Sequence, residues 1–289
     1  MYANQKNVNS FVGVDISKKG MEVIRISEHK KHMRFRTQTT VRGERRLITW
    51  LNKNDVIVME AGSQTFRIAK HLKQYGFNVI VLNPGDVRTI YASLRKTDRE
   101  DALKLARIAQ RNPREELPEV MVPCDEDEDA RRLVTEHKHW TDQKKKHKNR
   151  LHSLFTQAGL TTITKKNIAT HASREKVIPL LPERYQREAQ RLQKGLQLVD
   201  ENIRSIDTEI VVSLQENIGY AHLAMSMPGI GLNITHSLYA YVGDCSRFSS
   251  PKQLAYYVGL VPRVDQSGET ERYGSIIKRG CIPLRRVMI

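Results

Sequence analysis

Cysteine is scarce in this chain of 289 residues: Cys124, Cys245 and Cys281 stand far apart with no CxxC spacing. That spacing argues against a zinc knuckle or a disulfide framework and fits a reducing compartment. No apolar run approaches the length that crosses a bilayer. Residues 1–10 are polar and lack the apolar core of a signal peptide. A soluble cytoplasmic protein with no membrane association is expected, bacterial or archaeal and lying on the nucleoid. There is no GxxxxGK(S/T) loop, so ATP-driven chemistry is not indicated, and the ten histidines form no HxxxH or HExxH metal pattern.

Acidic residues are also few relative to basic ones, 32 against 48, giving a net charge of +16 and a pI near 9.8. Such an excess suits a polyanionic partner, and nucleic acid is the commonest. At 39% apolar residues the chain can build one large domain or two ordinary ones.

Three stretches differ in pattern. Residues 1–115 alternate strand and helix signals. Strands are expected at 11–16, 21–26 and 32–39 as a meander, and at 55–60 and 78–82. Helices are expected at 43–51, at 66–75, after Pro84 and at 99–110. This is the order of a ribonuclease-H-like mixed-sheet domain. Residues 116–220 are charge-dense and poor in glycine. A basic helix runs through 131–155, Pro179 and Pro182 interrupt, and Leu192, Leu196, Val199, Ile203, Ile206, Ile210 and Leu214 recur at spacings of three and four. That row predicts a coiled-coil seam, with two long helices folding back on each other or pairing with another copy. Residues 221–289 read as a small, mostly helical domain. Its opening Met227-Pro228-Gly229-Ile230-Gly231 is like the hairpin of a helix-hairpin-helix motif, whose backbone N–H groups meet phosphate. The fold class expected is therefore α/β plus α: sheet domain, helical arm, small C-terminal domain.

Four acids carry the chemistry. Asp15 and Glu60 each end an apolar strand, which exposes an acid at one edge of a buried sheet. Asp98 and Asp101 lie three apart at a helix start, so both carboxylates can share one face. Any one of them alone reads as an ordinary strand-ending or capping acid. Four together repel one another unless cations neutralise them. Oxygen ligands select magnesium or manganese over zinc, and a pair of such ions can clamp both oxygens of a phosphodiester exchange.

The segments Gly13-Val14-Asp15-Ile16-Ser17-Lys18, Met59-Glu60-Ala61-Gly62, Leu82-Asn83-Pro84 and Lys96-Thr97-Asp98-Arg99-Glu100-Asp101-Ala102 resemble the RuvC-like domain of DEDD insertion-sequence transposases. Pro228-Gly229-Ile230-Gly231, Gly243-Asp244, Arg247-Phe248, the stretch from Ala255 to Pro262, Gln266-Ser267-Gly268 and Lys278-Arg279-Gly280 resemble the second domain of the same family, the bridge-RNA-guided recombinases. The resemblance implies that Asp15, Glu60, Asp98 and Asp101 bind magnesium or manganese, with two ions. It implies that Ser267, or else Ser275, attacks DNA to give a phosphoserine. It further implies a homo-oligomer whose site combines acids of one subunit with the serine of another, and a guide RNA as partner beside DNA. Family members continue beyond Arg285-Arg286, so the chain reads as C-terminally shortened.

Lys144, Lys145, Lys146, Lys148 and Arg150 form a basic run beside Trp140 that could grip a nucleic-acid backbone, although such a run is by default a solvated helix face. Lys18 is expected near the acids, within reach of a phosphate. Two other functions fit parts of the sequence: a structure-selective RuvC-like endonuclease using metal-activated water, and an inactive nucleic-acid-binding remnant.

Overall fold

Strands whose apolar residues fall on both faces need cover on both sides, and here helices supply it. The computed structural model describes residues 10–27, 32–90, 97–267, 270–277 and 279–289. Lys96, Gly268 and Lys278, which belong to motifs quoted above, lie outside the described residues. The chain divides into two compact units, Met1–Pro123 and Cys124–Ile289.

In the first unit β1 (Ser10–Ile16), β2 (Gly20–Ser27) and β3 (His32–Gln38) make an antiparallel meander. Helix α1 (Val41–Trp50) leads to β4 (Asp55–Glu60), parallel to β1, and α2 (Thr65–Gln74) leads to β5 (Asn78–Leu82), parallel to β4. Helices α3 (Pro84–Ile90) and α4 (Asp98–Arg111) follow. The sheet has five strands in the order β3-β2-β1-β4-β5. Every strand and helix expected here is present, with ends shifted by one or two residues. α1 starts before the expected 43 because the Thr40 side chain caps it, accepting from the Gly43 N–H at 3.1 Å. One feature was not expected: residues after α4 return along β5, with the Val120 N–H donating to the Val81 carbonyl at 2.7 Å.

Alternation sorts the side chains between faces. Val12, Val14, Met21, Val23, Ile57, Met59, Val79 and Val81 pack against Leu47 of α1 and Ile68, Ala69 and Leu72 of α2. On the opposite face Ile24 and Ile26 meet Ala102, Leu103 and Ala106 of α4, and Val56, Val58, Ile80 and Leu82 meet Leu105, Ile108 and Ala109. One buried ion pair fixes the start of β4. Asp55, fully buried, accepts from Arg25 at 2.7 Å, from the Asn52 N–H at 2.8 Å and from the Ser10 hydroxyl.

The second unit is built on two long helices, α5 (Asp125–Gln157) and α7 (Glu183–Gln215), joined through the short α6 (His171–Val177). They run antiparallel: Arg150 pairs with Glu188 at 2.7 Å, Lys144 with Asp200 at 2.6 Å and His137 with Asp207 at 3.4 Å. Leu196, Val199, Ile206, Ile210 and Leu214 of the three-and-four row are buried, and Leu192 and Ile203 are half-buried. The row is turned inward, against partners in this same chain: Leu151, Leu154 and Phe155 at one end, Leu133 and Trp140 at the other. Fully buried Arg174 of α6 lies 3.7 Å from Asp200 and donates to the carbonyls of Ile168 and Ala169. Helices α8 (Ile218–Met225), α9 (Leu232–Val242) and α10 (Pro251–Val258), the antiparallel strands β6 (Pro262–Ser267) and β7 (Thr270–Ile276), and α11 (Ile282–Met288) complete the unit. The sequence reading of 221–289 as mostly helical did not anticipate this hairpin.

Candidate active site

Phe11, Gly13 and Asp15 lie on one face of β1, the face that α4 covers. Helix α4 can lie close because residue 13 is glycine. A Cβ there would sit 1.9 Å from the Ala102 carbonyl oxygen and 2.7 Å from the Ala106 nitrogen. Thr97 starts the helix, its hydroxyl accepting from the Glu100 N–H at 3.2 Å. Its first turn, carrying Asp98 and Asp101, therefore lies at the end of β1 where Asp15 stands. Parallel pairing of Val14 with Met59 brings Glu60, the next residue of β4, alongside Asp15.

The carboxylates feel one another. The carboxyl of Asp15 is pushed up from 3.8 to about 6, first by burial and then by the charges of Asp98, Asp101, Glu60 and Glu22. Glu60, Asp98 and Asp101 thus all lie within electrostatic reach of Asp15. Glu22 is a fifth that the sequence reading missed. It sits directly across the ladder from Asp15, is almost fully buried, is bonded to Arg34, and lies 3.8 Å from Arg36. Its signal in the sequence, an acid two residues into a strand, reads as surface alternation. Lys104 lies one turn along α4, 3.7 Å from Asp101.

Divalent cations would fit here: the donors are all carboxylate oxygens, and Asp15 is raised first by burial and then by the neighbouring carboxylates, both of which a bound cation would offset. Among the described residues no three acids or histidines are gathered tightly enough to grip one ion as the side chains stand. Mutual repulsion is the physical reason to expect such acids to stand apart without a cation.

The other expected residues fall as follows. Lys18 is exposed in the turn between β1 and β2. Ser267 ends β6, paired across the ladder with Thr270, and Ser275 is exposed on β7. The four acids belong to the first unit and both serines to the second. The hairpin springs from a tight junction. Gly259, at φ +80°, leaves no room for a Cβ, which would lie 1.8 Å from the Arg279 carbonyl oxygen, and Arg285 bonds the Val258 and Arg279 carbonyls. In the basic run Lys145 and Lys146 are exposed on α5. Lys144 and Arg150 hold acids of α7, and burial beside Lys144 lowers the Lys148 ammonium below its ordinary value.

A mixed five-stranded sheet between helical layers, with acids ending neighbouring strands and more on the helix laid over them, is the arrangement of an RNase H-like nuclease domain of the DEDD type. Residues 12–159 match the family model for the DEDD transposases of the IS110 type, described as "Transposase", and residues 221–289 match "Transposase IS116/IS110/IS902 family". The chain is 28% identical over 287 residues to the transposase for insertion sequence element IS1111A of Coxiella burnetii, covering 96% of this chain and 75% of the relative. It is 28% identical over 245 residues to the transposase for insertion sequence element IS1328 of Yersinia enterocolitica, covering 81% and 69%. It is 25% identical over 273 residues to the pilin gene-inverting protein of Moraxella lacunata, covering 90% and 74%. The chain belongs to the IS110 family of insertion-sequence transposases, DNA transposase/recombinase enzymes whose DEDD domain suggests dependence on a divalent metal. No helix among the described residues is long and apolar enough to cross a membrane.

Proposed function

We propose that this transposase cuts and rejoins DNA through a serine nucleophile, with Asp15, Glu60, Asp98 and Asp101 holding two magnesium or manganese ions. The observation that carries the reading is the convergence of these acids on Asp15, whose carboxyl rises to about 6. Bound divalent ions would supply Lewis-acid stabilisation of charge on the phosphodiester. The acids' own task is to hold that positive charge against the phosphate and orient it. Ser267, at the tip-side end of β6, attacks phosphorus through Oγ. The Oγ–P bond forms as the P–O bond to the departing strand breaks, and the hydroxyl proton leaves to solvent or a neighbouring base. The released strand end later reverses the step on a new partner, so the energy of the diester is kept without ATP. Ser275 is the alternative nucleophile.

In this reading residues 1–115 bring the acids, residues 116–220 form a coiled-coil arm and residues 221–289 bring the serine. The working site joins acids of one subunit to the serine of another in a homo-oligomer. A bridge RNA selects the target by base pairing. Lys18, Lys145 and Lys146 are free to meet nucleic acid, with Lys144, Lys148 and Arg150 contributing charge from the same helix.

The decisive test is a denaturing gel with end-labelled DNA. Wild-type protein with magnesium gives a protein–DNA adduct, Asp15→Ala gives none, and Ser267→Ala gives none while still binding DNA. Normal joining by Ser267→Ala would refute the serine step. Magnesium-dependent free ends with no adduct would favour a water-using endonuclease. Sequencing RNA that copurifies tests the guide: one defined noncoding species supports it, and random cellular RNA counts against it.

A further inference from the structure

A cleft of about 690 Å³ lies at the end of the β1–β2–β3 meander beside the start of α1. Lys19, Arg36, Arg42 and Arg46 line it, and Asp98 forms part of its wall. The cleft and the acid site therefore share a border. All four cations are exposed. Lys19, Arg42 and Arg46 have no acidic partner among the described residues. Arg42 and Arg46 are four apart on α1, so they project from one side of the helix. Arg46 is steadied by the Phe35 ring of β3, 5.7 Å from its guanidinium, and Phe35 in turn stacks on Trp50.

Two acids, Glu22 and Asp98, line the cleft, and neither forms an ion pair with Lys19, Arg42 or Arg46 among the described residues. Glu44, in the first turn of α1, is buried toward α2, where Arg67 reaches it at 2.7 Å and His71 at 3.0 Å. Glu22, though part of the lining, is bonded to Arg34 as well as lying near Arg36. Beside Glu22 and Asp98, the lining holds Lys19, Arg42 and Arg46 without acidic partners among the described residues, together with the hydroxyl and amide groups of Ser17, Thr40 and Gln38. Three unpartnered cations around a cleft of about 690 Å³ are more than a single small anion needs and suit successive phosphates of a polynucleotide strand.

We propose that this cleft is the track of a nucleic-acid strand, held by its phosphates on Lys19, Arg42 and Arg46 with Arg36 at the side, and that the strand runs past Asp98 into the acid site. This rests on the reading of that site as the place of phosphodiester exchange.

The test is binding without cleavage, in EDTA, by fluorescence anisotropy of labelled single-stranded DNA, duplex DNA and RNA of one sequence. Arg42→Gln/Arg46→Gln is compared with Arg187→Gln/Arg191→Gln, which removes the same charge from exposed positions of α7. Losing two phosphate contacts should weaken binding roughly tenfold or more at low salt and flatten the salt dependence by roughly 1.8 on duplex or 1.4 on single strands. A loss on DNA places a DNA strand in the cleft, and a loss confined to RNA places the guide there. If the α1 pair behaves like the α7 pair on every probe, the proposal is wrong. Lys19→Gln, in the exposed turn, repeats the test without touching α1 and decides it should the double variant misfold. The adduct assay separates the two readings. Cleft-dependent binding without any adduct would leave the track and remove the serine step. Adduct formation with cleft-independent binding would do the reverse.

Discussion

A methyl group on Gly13 would meet the Ala102 carbonyl oxygen at 1.9 Å and the Ala106 nitrogen at 2.7 Å, and both are backbone atoms, so neither can rotate away. Gly13→Ala should therefore lift α4 from β1, at a cost of about 1–3 kcal/mol typical of overpacking. It should also move Asp98 and Asp101 from Asp15 and abolish adduct formation. Urea unfolding with an unchanged m-value measures the first, and full activity in the variant would show that α4 need not lie so close. The Asp55–Arg25 pair makes a second residue-scale case. Arg25→Met leaves a carboxylate buried with fewer donors and should cost about 3–5 kcal/mol, whereas Arg25→Met with Asp55→Leu should recover much of that loss. If the double change is as unstable as the single one, charge is not what the pair supplies. At this scale Asp15, Glu60, Asp98 and Asp101 were legible because strand ends and helix starts announce themselves locally. Glu22 and the cations of the cleft were not, since the register of β2 against β1 and β3 places Glu22 and Arg36, and only the packing of α1 beside the meander brings Arg42 and Arg46 to the same cleft.

Elements announced by a strong period were legible, and those without one were not. β1, β4 and β5 are apolar runs, and α7 repeats its apolar row over many turns. The β6–β7 hairpin has neither sign: Pro262–Ser267 and Thr270–Ile276 mix charges, hydroxyls and a glycine, and only pairing makes them strands. Where α5, α7 and α9 meet, polar groups are enclosed. His236 of α9 is fully buried, with Ser213 of α7 at 3.4 Å, Tyr239 beside it, and His137 of α5 near enough to oppose its charge. His137 itself contacts Asp207 and Asn233. Burial first, and His137 second, depress the His236 imidazole from 6.5 to about 4. The sign follows from linkage. Below 6.5 the unfolded chain takes up this proton while the folded one does not, so stability present above 6.5 is lost progressively toward about 4. Thermal melts across that interval should fall more steeply for wild type than for His236→Asn. Parallel curves would mean that His236 is not neutral in the folded unit.

At the scale of the whole molecule, the surplus of 48 basic over 32 acidic residues secures attraction to nucleic acid but says nothing of how many chains must act together. The distribution of the proposed machinery does bear on it, because the acids are in one unit and the serine in another. Asp15→Ala and Ser267→Ala should each be inactive alone. Suppose the working site takes acids from one subunit and serine from its partner in a two-fold dimer. Mixing and reassociating equal amounts then makes about half the dimers heterodimers, each with one intact acid–serine combination out of two. Adduct formation should return to about a quarter of the wild-type level. A site completed within a single chain predicts no recovery at any ratio, since every subunit would lack one part. The mixture also tests the serine assignment without relying on a single defective variant. Ser275→Ala, mixed with Asp15→Ala in the same way, must not behave as Ser267→Ala does. If it is active by itself, the nucleophile is not on β7, and if it is inactive and complements, the nucleophile is Ser275.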